Sequence, residues 1–226
     1  MNKDFNAIDL THELTENIPS WDGGKALDFT LALDYPDCTA PDIFRKYDIK
    51  SSTGIGTHLD APAHVVPGGR TIDQLTLEEL IAPCVVIDVS SEADEKYVAM
   101  PIAVEKFEQE HGVIPANSVV IFYTGWDKKW NAPEQYHNNH VFPSVDISTA
   151  ELLLTRGVAG IGVDTFSCDT GAHGFPVHRA VLGADKYLIE NIANAGQLPA
   201  MGAKALVLPM NIKGATEAPL RLIALL

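Results

Sequence analysis

Apolar residues along this chain of 226 gather into short, nearly unbroken runs separated by polar, glycine-rich stretches. Runs at Ala7–Leu14, Leu27–Leu33, Cys84–Val89, Val119–Tyr123, Val158–Val163, Ala205–Leu208 and Leu220–Leu225 have the length of strands. The continuous character of Cys84-Val-Val-Ile-Asp-Val and Ser118-Val-Val-Ile-Phe-Tyr predicts strands covered on both faces. Helical spacing appears at Val104–His111 and Ser148–Arg156. In the second, Ile147, Ala150, Leu153 and Leu154 share one stripe, Ser148 or Asp146 caps the start, and Gly157 stops it. Strands and helices interleave irregularly, which predicts an α/β chain of the mixed α+β kind, a sheet with helices around it. The stretch from Trp21 to Asp48, rich in Pro, Gly, Asp and aromatic residues, reads as a long irregular excursion. Excursions of this kind serve as lids, binding loops or subunit contacts. The expectation is a loop over the site with Trp21 and Tyr35 as aromatic walls, with plain surface packing as the alternative for each ring.

Length and composition narrow the picture. The chain suits one domain spanning residues 1–226, with enough residues for a sizeable core, and no repeat or linker divides it. Sixteen basic against thirty acidic residues give a net charge of −14, which argues against nucleic acid and anionic membranes as partners because both are polyanions. Three widely spaced cysteines, Cys38, Cys84 and Cys168, make neither a disulfide framework nor a zinc knuckle. Cys168 falls near the presumed site, where a nucleophilic thiol competes with the reading of an inert, buried one. The N-terminal Met-Asn-Lys-Asp-Phe-Asn lacks the apolar core of a secretion signal, so a cytoplasmic protein is expected.

The chemistry concentrates in Gly54-Ile-Gly-Thr-His-Leu-Asp-Ala-Pro-Ala-His64. On an extended segment His58 and Asp60 share a face, about 6.5–7 Å apart at their Cα atoms. Pro62 fixes its own φ and keeps Ala61 extended, so a bend here returns His64 toward the same point. Imidazole and carboxylate together suit zinc, manganese or iron better than magnesium or calcium.

This stretch resembles the signature of the metal-dependent cyclase hydrolase family, His-x-Gly-Thr-His-x-Asp-x-Pro-x-His, through Gly56, Thr57, His58, Asp60, Pro62 and His64. Asp9-Leu-Thr-His12, Phe142-Pro143, Arg156-Gly-Val-Ala-Gly-Ile-Gly-Val-Asp164-Thr, Phe175-Pro-Val-His178-Arg and Ile189-Glu190-Asn191 extend the resemblance from about residue 8 nearly to the C-terminus. It implies a swivelling β/β/α fold and a homodimer or homotetramer. It also implies hydrolysis of a small aryl formamide or lactam, such as N-formylkynurenine or isatin, by a metal-activated water. The implied ligands of one or two Zn2+ or Mn2+ ions are His58, Asp60, His64, His178 and Glu190. One position departs: the family's first histidine falls on Gly54, which leaves open whether one ion or two are held and what replaces the lost imidazole. His12 or another side chain is a candidate. His64 is correspondingly either a ligand or, in a one-metal enzyme, the catalytic general base and acid.

His178 and Glu190 are twelve residues apart, about 18 Å in one straight helix, so they meet only if the chain reverses. Gly183 permits that, with a short turn over Arg179–Leu182 and a strand over Lys186–Ile189 leading back. The polar stretch Asp164, Thr165, Ser167, Asp169 and His173 follows the strand ending at Val163. From it Ser167 and His173 are candidate substrate contacts beside Trp21. His111, His137 and His140 receive no role. Two other readings remain: a metal-assisted dehydratase or cyclase of a small carbonyl compound, and a metal-binding relative without catalysis.

Overall fold

The computed structural model describes residues 6–170 and 174–226. Its strands in chain order are β1 (Ala7–Asp9), β2 (Leu27–Leu33), β3 (Lys46–Ser51), β4 (His58–Asp60), β5 (Ile81–Asp88), β6 (Val98–Ala99), β7 (Val119–Tyr123), β8 (Ser144–Val145), β9 (Gly160–Val163), β10 (Tyr187–Glu190), β11 (Ala203–Pro209) and β12 (Glu217–Leu225). The helices are α1 (Leu77–Leu80), α2 (Pro101–His111), α3 (Pro133–His137), α4 (Ile147–Thr155) and α5 (Pro176–Gly183). None of the described helices is long and apolar enough to cross a membrane.

Seven strands close into a barrel in the order β4-β10-β9-β7-β5-β11-β12, with β12 returning to β4, and β1 adds to β12. Half of the wall, β5-β7-β9-β10, is parallel. Its sequence is apolar without alternation because both faces are covered. Along β7, Val119, Ile121 and Tyr123 point into the barrel core with Leu59, Leu222 and Ala205. Val120 and Phe122 point the other way, onto a second core with Val104 and Phe107 of α2, Leu153 of α4 and Val181 of α5. On the antiparallel half the pattern of β12 alternates: Ala218, Leu220, Leu222 and Ala224 are buried and the residues between them are not. Close strand packing depends on one glycine in particular. A Cβ on Gly160 of β9 would lie 2.4 Å from the Tyr187 ring and 2.7 Å from the Tyr187 carbonyl of β10.

The mixed α+β class follows from the sequence pattern, and β2, β7 and α4 fall where that pattern places them within a residue or two. The Trp21–Asp48 excursion does not. It is a two-stranded antiparallel ribbon of β2 and β3, held by the register Leu27↔Ser51 through Leu33↔Lys46. Phe29 and Tyr47 stack across it at 4.4 Å between ring centroids, a diagonal cross-strand pair of the kind that stabilises ribbons. Strand β3 forms no apolar run, because Tyr47 and Ile49 alternate with Lys46, Asp48 and Lys50 and the whole strand is exposed. The N-terminal strand is also shorter than its run: beyond Asp9 only an isolated bridge, Thr11 to Ile192, continues the pairing.

Candidate metal centre

Strand β4 is three residues long and contributes two donors to one face, His58 and Asp60, as side chains two apart on a strand must. Ahead of it Gly56 turns the chain at φ +58°, where a Cβ would strike Leu14. Behind it Pro62 opens a single 3-10 turn ending at His64. Antiparallel pairing sets Glu190 of β10 opposite His58 and Glu217 of β12 opposite Asp60. Helix α5 replaces the expected short turn, beginning at Pro176, a residue suited to a first helical position. It carries His178 inward, and the chain then reverses after Gly183 so that β10 brings Glu190 back to it.

The convergence is tight. His58 Nε2 lies 3.4 Å from Glu190 Oε2 and 3.6 Å from Asp60 Oδ1. His178 Nε2 lies 3.2 Å from Glu190 Oε1 and 3.4 Å from Asp60 Oδ2. One nitrogen of His64 is within 4.8 Å of donor atoms of Asp60 and His178, so two donor triads share Asp60. His58, Asp60, His178 and Glu190 are buried, whereas the His64 side chain is 32% exposed at the mouth.

Both buried imidazoles are aimed by their other nitrogen. His58 Nδ1 donates to the Gly56 carbonyl at 2.9 Å, and His178 Nδ1 donates to Asp169 Oδ2 at 2.8 Å. The same carboxylate accepts the Val177 and His178 amides, which are otherwise unsatisfied at the start of α5. Each ring therefore presents Nε2 to the carboxylates. Burial alone would push His178 down, but its contacts with Asp169, Asp60 and Glu190 outweigh this and hold it up to about 12. His58 is raised despite burial because Asp60 and Glu190 face it. Asp60 is lowered despite burial by His178, His58 and His64.

A cation answers what the protein leaves unsatisfied. Asp60 Oδ1 and Glu190 Oε1 are buried without a hydrogen-bond partner, a costly state for carboxylate oxygens. With two imidazole nitrogens beside them, they form a donor set of the mixed N/O type that suits a divalent transition ion.

The donors lie at the foot of a cavity of about 710 Å3 whose wall includes Trp21, Phe166 and Phe175. Trp21 lines this cavity, its ring 6.0 Å from Phe175 and 6.1 Å from Phe166. Histidines without an expected role support it. His137 and His140 each place Nε2 on the Trp21 carbonyl, at 3.0 and 2.8 Å, and His140 stacks on its ring at 4.1 Å. Tyr35 is no wall: it sits half-exposed in the ribbon with the Arg45 guanidinium 4.5 Å from its ring centroid. Ser167 is buried, borders the cavity and accepts the Asp169 amide at 3.1 Å. His173 lies outside the described residues. His12 stacks on Trp130 at 4.0 Å and borders a different cavity, so it does not replace an imidazole at 54. The Cys168 thiol is fully buried and burial raises it well above its ordinary value, so it is no nucleophile.

Behind the donors a buried network fixes the loop geometry. Tyr136 donates to Asn191 Oδ1 at 2.8 Å, Asn191 donates to the Gly56 carbonyl at 2.9 Å, and Thr57 donates to the Asn191 carbonyl at 2.6 Å. Asp164, raised by burial to about 6, accepts the Thr124 hydroxyl and the Trp126 amide.

Residues 8–170 match the family described as putative cyclase. The chain belongs to this family. It is 33% identical over 189 residues to an isatin hydrolase of Roseibium aggregatum, covering 75% of this chain and 70% of that one. It is 27% identical over 222 residues to a kynurenine formamidase of Maricaulis maris, covering 94% of each. Among solved structures, isatin hydrolase A from Labrenzia aggregata bound to benzyl benzoate superposes with a TM-score of 0.88 at 31% identity, covering 98% of this chain and 94% of that chain. The family resemblance read from residues 54–64 therefore holds over nearly the whole chain. Asp169 was visible only as one member of a polar stretch and Asn191 only as the end of a family-like run, and Glu217 had no signal as a functional residue, because its place depends on strand register.

Proposed function

We propose that this cyclase-family protein is a metal-dependent amidohydrolase that opens the C–N bond of a small aryl formamide or lactam. The observation that carries the reading is the pair of unpartnered buried oxygens, Asp60 Oδ1 and Glu190 Oε1, beside two oriented imidazoles at the foot of an aromatic-walled cavity. His58, Asp60, His178 and Glu190 would hold the ion, zinc or manganese. Such an ion, when bound, supplies Lewis acidity and makes water a competent nucleophile near neutral pH. Trp21, Phe166 and Phe175 receive the flat ring of the substrate, and Ser167 offers a hydroxyl at the same wall. Hydrolysis forms one C–O bond, breaks one C–N bond and moves a water proton to the departing nitrogen. His64 is the group for that transfer. It reaches the donors yet stays in touch with solvent, so its proton can be exchanged after each turnover.

The test is turnover of N-formylkynurenine, formanilide and isatin by protein reconstituted separately with Zn2+ and Mn2+, with product mass as the readout. Summed over the products, a gain of one water per substrate supports the proposal, as a single ring-opened acid from isatin or as formate plus the free amine from either formamide. A product with no added water would point to dehydration or cyclisation, and metal content without turnover of any of the three would sink the reading. We also infer a cytoplasmic homo-oligomer. The free thiols support the first. The exposed Phe29, Leu31, Tyr47 and Ile49 of the ribbon support the second, an apolar patch that a second copy would cover.

A further inference from the structure

A side chain at position 54 and the carboxylate of Glu217 claim the same space. A Cβ on Gly54 would stand 2.7 Å from Glu217 Oε2, 2.9 Å from its Cδ and 3.1 Å from Oε1. Nothing in the backbone demands glycine there, since Gly54 is not among the residues with positive φ. The residue missing from the family signature is therefore matched by a residue present on a strand more than 160 positions away. Glu217 is held in that space from both sides: Thr53 Oγ1 donates to Oε1 at 3.0 Å, and His64 Nδ1 lies 3.3 Å from Oε2. Its own strand register, opposite Asp60, fixes where the carboxylate starts.

We propose that Glu217 is the positioning residue of His64, occupying the room released at Gly54 and holding the imidazole through Nδ1. The proposal rests on the reading of His64 as the proton carrier. An imidazole whose Nδ1–H faces a carboxylate keeps its lone pair on Nε2. Without that partner a ring one-third exposed is free to turn and to change tautomer. The two buried histidines already follow the same rule, His178 through Asp169 and His58 through the Gly56 carbonyl. Glu217 extends it to the histidine at the mouth. It does not join either donor triad, so removing it should disturb the proton carrier and leave the metal in place.

The experiment has two readouts. In metal-free protein labelled with 15N-histidine, at a pH where imidazole is neutral, long-range 1H–15N correlations report the tautomer of His64. Wild type should show Nδ1–H, and Glu217→Ala should shift the population toward Nε2–H. Glu217→Gln, which keeps an oxygen acceptor of the same reach, should restore much of the original signal. In the metal-loaded enzyme Glu217→Ala should lower kcat about 10- to 100-fold with KM within about twofold and metal content unchanged. Gly54→Ala should copy this effect, because its methyl displaces the carboxylate. Added to Glu217→Ala, it should change kcat by less than about twofold, since no carboxylate remains to displace. If Glu217→Ala does not fold, Gly54→Ala carries the same test. An unchanged tautomer in Glu217→Ala, or full additivity in the double variant, would overturn the proposal. A tautomer shift with unaltered kcat would uphold the hold on His64 and instead remove His64 from proton transfer.

Discussion

Asp169→Asn isolates how a single carboxylate aims the metal donor His178. The aspartate accepts three N–H groups: the Val177 amide at 3.0 Å on one oxygen, and the His178 amide at 2.9 Å and Nδ1 at 2.8 Å on the other. Asparagine keeps the shape, and with its oxygen turned toward His178 it still accepts that residue's amide and ring N–H and loses only the Val177 amide, so the helix cap largely survives. What fails is the charge. A neutral amide holds Nδ1–H less strongly than a carboxylate and no longer raises the basicity of Nε2, the nitrogen turned toward Asp60 and Glu190. Loss of such a supporting partner costs about 10- to 100-fold in metal affinity, or roughly 1.4–2.7 kcal/mol. Competition of the purified variant against a fluorescent chelator measures this directly, and a thermal melt of metal-free protein checks the cap. We expect affinity to fall by that factor while the metal-free melting temperature moves by no more than a few degrees. Unchanged affinity in Asp169→Asn would refute the claim that the charge of this carboxylate supports His178 as a metal donor. A collapse of the metal-free melt would show that its main work is structural.

Four further outcomes follow from the same geometry. His58→Ala and Glu190→Ala should each abolish turnover and lower bound metal by elemental analysis, and full occupancy in Glu190→Ala would remove that residue from the site. Metal affinity should rise with pH by about tenfold or more per unit near neutrality, because His178, held up to about 12, must release its proton to bind. By the same sign, the charge on His178 stabilises metal-free protein fully below pH 6.5 and is lost as pH climbs toward 12, so chelated enzyme should soften in alkali; calorimetry in buffers of different ionisation enthalpy counts the protons. Gly160→Ala should destabilise by about 1–3 kcal/mol, read by urea unfolding, since its methyl meets both the ring and the backbone of Tyr187.

Local chemistry was legible and long-range pairing was not. Val119–Tyr123 reads as a doubly covered strand because neither of its faces carries polar residues. His58 and Asp60 read as co-facial because strand geometry is local, and the reversal joining His178 to Glu190 was implied by Gly183. Strand β3 stayed hidden, since its pairing with β2 runs through a diagonal aromatic contact that no window of sequence contains. Glu217 was invisible as a site residue for a related reason. Its significance depends on β12 lying against β4, a register set by barrel closure. The supporting roles of His137 and His140 likewise depend on where the Trp21 carbonyl ends up.

Strand β4 pairs with β10 on one edge and with the start of β12 on the other, although it spans only His58 to Asp60. The proposed donors His58 and Asp60 thus occupy the keystone of the ring. During synthesis, residues 58–64 emerge early, while β10 follows only after four-fifths of the 226 residues and β12 only in their final tenth. A chain halted before residue 217 would leave these donors on an unpaired edge. Closure of the barrel around the proposed donors thus waits for β12.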